Sequence, residues 1–95
     1  VNEGKAREKV ARQAKAEQLL RNEVFQEAFV YLENEFTEAW KRSAIEDTAA
    51  RERLYHLCQN LSALEGYIIK VIEDGKLAKA ALEELQNRVK FEKRK

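Results

Sequence analysis

The sequence predicts an all-α fold, an antiparallel helical hairpin or small bundle with a polar N-terminal helix, expected to be oligomeric. Three observations predict it. Asp, Glu, Lys and Arg make up 37% of the 95 residues, Pro is absent, and there are only three Gly. Two long stretches repeat large apolar side chains at alternating spacings of three and four, the period of a helix and not of a strand. A short polar segment, residues 43–48, divides those stretches and leaves room only for a tight reversal. A chain this short makes one small domain and buries on the order of 60–65% of its surface, so association with further helices is expected from the outset.

From Lys5 to Leu20 the composition favours helix, with Ala6, Ala11, Ala14 and Ala16 among Lys, Arg, Glu and Gln. The apolar signal there is thin: Val10 and Ala14, then Leu19 and Leu20. Residues 1–21 are therefore expected to form a basic, polar helix or arm that gains little from packing. Residues 22–95 are read as the hairpin core with a basic tail. Asn22 suits an N-cap, and Glu23 places a negative charge at the positive end of the next helix.

The second helix is expected over Glu23–Lys41. Phe25, Phe29, Leu32, Phe36 and Ala39 fall on one stripe, flanked by Val24, Ala28 and Tyr31, with Trp40 near the end. Residues 43–48, Ser-Ala-Ile-Glu-Asp-Thr, hold three candidate caps. Ser43 with Glu46 fits a capping box, and Asp47 or Thr48 fits as well.

The third helix is expected from about Asp47. Leu54, Leu57, Leu61, Leu64, Ile68 and Val71 hold the 3-4 alternation, and Tyr55, Cys58, Ser62, Ile69 and Ile72 form a weaker stripe beside it. Gly75 follows as a natural stop signal. Yet Gly75, Ala78, Leu82, Leu85 and Val89 keep the same heptad phase, which a free turn has no reason to preserve. One long helix to about Lys90, with room for a kink at Gly75, is favoured over a separate fourth helix.

Chemistry is sparse. His56 is the lone histidine and lies off the main stripe. Cys58 is the lone cysteine, which excludes an internal disulfide and fits a reducing compartment. Two residues apart on a helix, they point to different faces and make no nucleophile pair. The carboxylates Glu23, Glu27, Glu33, Glu35 and Glu38 interleave with core positions and read as a solvated face. There is no phosphate loop, zinc spacing or EF-hand loop. No enzyme activity, metal or cofactor is expected. No apolar run approaches the length of a membrane span, and the first residues lack the apolar core of a secretory signal.

Charge is unevenly spread. Residues 1–21 hold six Lys/Arg against three Glu, and residues 76–95 seven against three, whereas residues 22–50 hold two against seven acids. Basic ends suit contact with a polyanion, and the tail residues Lys90, Lys93, Arg94 and Lys95 are the densest candidates for nucleic-acid phosphate. Neither end has a helix-turn-helix signature or a stacking platform.

The run Ala16-Glu17-x-Leu19-Leu20-x-Asn22 is followed by Ala28, Leu32, Ala39-Trp40, Asp47-x-x-x-Arg51-Glu52-x-Leu54 and Gly75-Lys76-Leu77-Ala78. This pattern resembles small helical proteins that tailed bacteriophages and prophages encode among their virion-assembly and DNA-packaging genes. The resemblance spans residues 16–80 and rests on caps and core positions. It implies a role in particle assembly or DNA handling, in the host cytoplasm or the virion. The expected function is a non-enzymatic assembly or adaptor protein, acting by self-association or by docking on another structural protein. A DNA-binding packaging accessory and an inhibitor of a host enzyme are the alternatives.

More apolar surface is present than one two-helix seam can cover. If the last helix stays long, Leu82, Leu85 and Val89 pass beyond the shorter partner and lack intrachain cover. The expected contact residues are Trp40, Tyr55, Ile69, Ile72, Leu82 and Leu85.

Overall fold

Asparagine, serine and aspartate set the ends of the helices. The computed structural model describes residues 2–93 of the chain, and within them runs α1, Glu3–Arg21, then α2, Glu23–Arg42, then α3, Thr48–Lys93. The all-α class is the one the sequence predicts, and among the described residues there is no strand.

Asn22 alone separates α1 from α2. Its backbone is extended, with φ −69° and ψ 122°, and its side-chain oxygen accepts the Phe25 N–H at 2.9 Å. An orphan donor of the first turn is satisfied this way. The Gln26 amide donates to the Leu20 carbonyl at 2.7 Å and so serves the end of α1. At the far end of α2 the Ser43 hydroxyl donates to the Trp40 carbonyl at 2.6 Å. Ser43 therefore closes α2 and does not open α3. Of the three candidate caps, Asp47 is the one used, accepting the Ala50 N–H at 3.1 Å.

The chain packs as two units. One joins α1 through Leu19 to α3 from Ile68 onward, and the other is Leu20–Tyr67. We call them the α1 unit and the hairpin unit; α3 contributes to both. Among the described residues the buried apolar side chains are Ala6, Ala16, Leu61, Ile68 and Ala78.

Small residues build the α1 unit. Ala6 and Ala16 on α1 are buried, as are Gly75 and Ala78 on α3. A Cβ at Gly75 would run into the Gln13 side chain and stand 2.9 Å from the Lys9 carbonyl oxygen. Glycine here permits close approach of two helices and does not end one; α3 passes through it without a break. Lys9 and Gln13 meet Gly75, whereas Glu3 and Arg7 share a groove with Leu82, Leu85, Gln86, Val89 and Lys90. Falling numbers on α1 thus meet rising numbers on α3, so the two helices are antiparallel.

Of the helix or arm expected at the N-terminus, the chain forms the helix, docked through Ala and Gln, which the large-apolar pattern passes over. One expectation is corrected by this packing. Leu82 and Leu85 do have intrachain cover: both are half-buried in the α1 unit, and Val89 is the more exposed neighbour.

Candidate helix–helix interface

In the hairpin unit α2 folds back along the first part of α3. Phe25, Phe29, Phe36 and Ala39 are half-buried, Leu54 is half-buried, and Leu61 is buried. Phe25 and Phe29 stack one turn apart, ring centroids 6.3 Å from each other. Despite its strong apolar stripe, α2 holds no fully buried residue among those described. Two helices share one line of contact, and every side chain on that line except Leu61 still has a flank open to solvent.

The open flank has a definite side. Heptad seam positions on both helices remain exposed: Leu32 at 39%, Leu57 at 37% and Leu64 at 50%. At 100° per residue, Tyr31 and Val24 fall on one side of the α2 contact line, with Leu32 on the line itself, and Leu57, Leu64 and Tyr67 fall on the corresponding side of α3's. Between antiparallel helices those two sides make one face. All six side chains are exposed.

The opposite face carries an ordered cluster. The Arg51 guanidinium lies 4.7 Å from the Trp40 ring centroid and donates to the Ser43 hydroxyl at 3.0 Å. That contact fixes the helices' register, since helical spacing puts Trp40 and Arg51 on the side away from Tyr31 and Leu57. Tyr55 and Cys58 belong to this second face and are exposed. Trp40 itself remains 47% exposed.

The expected contact residues are divided between the two units. Trp40 and Tyr55 belong to the hairpin unit; Ile69, Ile72, Leu82 and Leu85 belong to the α1 unit. Ile69 is exposed, whereas Ile72, Leu82 and Leu85 are half-buried. Leu32, Leu57 and Leu64 read as core from the stripe alone, yet they are exposed, as are Val24, Tyr31 and Tyr67. A count of helices gives the missing signal, because a seam between two cannot close over both of its rows.

Polar features are peripheral. His56 is exposed, its Nε2 3.8 Å from Glu52 Oε1, beside the Tyr55 ring at 5.7 Å. Surface pairs such as Arg7–Glu3 and Lys41–Glu38 contribute roughly 0–1 kcal/mol each. Among the described residues no three His, Cys, Asp or Glu side chains stand close enough to share a metal ion. No described helix is long and apolar enough to cross a membrane. Of the basic tail, Lys90 lines the shallow groove between α1 and α3. The Lys93 side chain, Arg94 and Lys95 lie outside the described residues.

The chain matches no family model, no curated protein and no solved structure.

Proposed function

We propose that this protein is a non-enzymatic assembly or adaptor protein of the phage type, working by helix–helix association with copies of itself or with a larger particle. The observation that carries the reading is the state of α2. A helix with three Phe and a Leu on one stripe leaves none of them fully buried. Burying a large apolar side chain is worth ~1.5–3 kcal/mol, so a further helix laid on this face has a substantial driving force. Monomers rarely keep contiguous apolar patches of more than a few hundred Å² in water.

His56 and Cys58 sit on the surface without partners suited to nucleophilic catalysis, and the carboxylates are dispersed. Sedimentation velocity at micromolar concentration tests the assembly reading. An oligomer is expected; a fully folded monomer at every concentration would reject self-association.

Charge segregation favours a second reading. The α1 unit, with the tail, carries thirteen Lys/Arg against eight acids, and the hairpin unit five against nine. A basic unit of net +5 suits non-specific contact with nucleic-acid phosphate. Titration with duplex DNA at rising salt separates the two, because assembly through apolar faces proceeds without DNA.

A further inference from the structure

We infer that the open face of the hairpin unit is covered by the same face of a second copy, related by a two-fold axis along the helices, so that α2 of each copy lies over α3 of the other. This rests on the self-association reading and specifies its geometry. The first argument is area. Val24, Tyr31, Leu32, Leu57, Leu64 and Tyr67 are all large and all exposed, from 37% to 71%. Together they present several hundred Å² of mainly apolar surface, approaching the ~800 Å² per partner of a standard interface. The exposed large apolar side chains of α3 in the α1 unit, Ile69, Leu77, Val89 and Phe91, lie on two sides of the helix, whereas a second copy of the open face matches it in size and character.

Charge chooses the arrangement. Two hairpins can pair with α2 over α2 or with α2 over α3. Helix α2 is acidic, with five Glu against Lys41 and Arg42. Residues 48–67 of α3 are balanced, Arg51 and Arg53 against Glu52 and Glu65. Stacking two acidic helices costs repulsion; setting each over a balanced one does not. Specific residues support the second. Glu35 and Glu38 on α2 and Arg53 on α3 are exposed on the side of the open face, near the connection. A two-fold axis along the helices keeps both copies at the same level, which brings Glu35 and Glu38 of each over Arg53 of the other. An axis across the helices would oppose glutamate to glutamate.

Two charge-reversed proteins test this, R53E and the double variant E35K/E38K. All three sites are exposed, so helicity by circular dichroism should match the wild type. Each variant alone is expected to dimerise roughly tenfold more weakly or worse, from like charges opposed. An equimolar mixture is expected to form a 1:1 heterodimer by native mass spectrometry, because both opposed pairs are then complementary. If each variant self-associates as tightly as the wild type, the arrangement is wrong. A third protein, L57E/L64E, tests the face itself: loss of the dimer with helicity retained supports it, and an unchanged dimer places the interface elsewhere. Either failure leaves self-association standing. A monomeric wild type fails the functional reading instead.

Discussion

The α1 unit and the hairpin unit invert the usual link between hydrophobic signal and packing. The hairpin carries the large side chains, three Phe and a ladder of Leu, yet α2 buries none of its residues completely. The α1 unit buries Ala6, Ala16, Gly75 and Ala78 beside one large residue, Ile68, and at Gly75 the helices come close enough that a single added Cβ would collide. Small residues let two backbones approach, so a pair of helices can close on itself. Large ones hold the backbones apart and leave flanks open to solvent.

The largest break in that contrast should come at the two large side chains that are buried. Leu61 is 9% exposed and Ile68 5%. Leu61→Asp or Ile68→Asp would bury an unpaired carboxylate, at about 3 kcal/mol or more, and should unfold the chain in a chemical denaturation series. Phe29→Asp, at a half-buried position of the same seam, should destabilise the chain less than either.

Next comes the crossing of α1 and α3. Gly75→Ala gains helix propensity but meets the Gln13 Cβ and the Lys9 carbonyl, neither of which is the free end of a flexible chain. Overpacking of this kind costs ~1–3 kcal/mol, against a gain of up to ~1 kcal/mol. The variant should be less stable than the wild type, and α1 should become the first site of limited proteolysis. Gly66 is the contrasting case, with nothing within 4 Å of its would-be Cβ. Gly66→Ala should raise stability by ~0.5–1 kcal/mol, seen as a higher urea midpoint. A loss at Gly66 and a gain at Gly75 would reverse the account of both glycines.

Smaller effects belong to the ends and the surface. Asp47→Ala should cost about 1 kcal/mol of stability through the lost cap, and Ser43→Ala should not mimic it at the start of α3. His56→Ala should change the unfolding midpoint by less than ~0.5 kcal/mol equivalent, because its one ion pair is exposed at both ends.

Much of this was legible from residues alone. Asn22 as a cap, α2 over Glu23–Arg42, and α3 running in phase through Gly75 all follow from local chemistry and periodicity. The choice among Ser43, Asp47 and Thr48 did not. Ser43 and Glu46 satisfy the capping-box spacing, yet the Ser43 hydroxyl is engaged by Trp40 and Arg51, a contact set by the reversal itself. The docking of α1 was illegible for a different reason. Its contact face is Ala6, Gln13 and Ala16, a pattern of small size and not of hydrophobicity, matched by Gly75 and Ala78 a long way along the chain. The open face was half visible: Val24 and Tyr31 stood out as surplus, but Leu32, Leu57 and Leu64 looked like core until the number of neighbouring helices was known.

On the proposed reading the hairpin unit depends on association and the α1 unit does not. Hydrogen–deuterium exchange on the wild type and L57E/L64E at one concentration separates the two. The variant is expected to lose amide protection across Glu23–Arg42 and residues 48–67, while Glu3–Arg21 exchanges as in the wild type. Equal protection of α2 in both proteins, or a loss centred on α1, would contradict it.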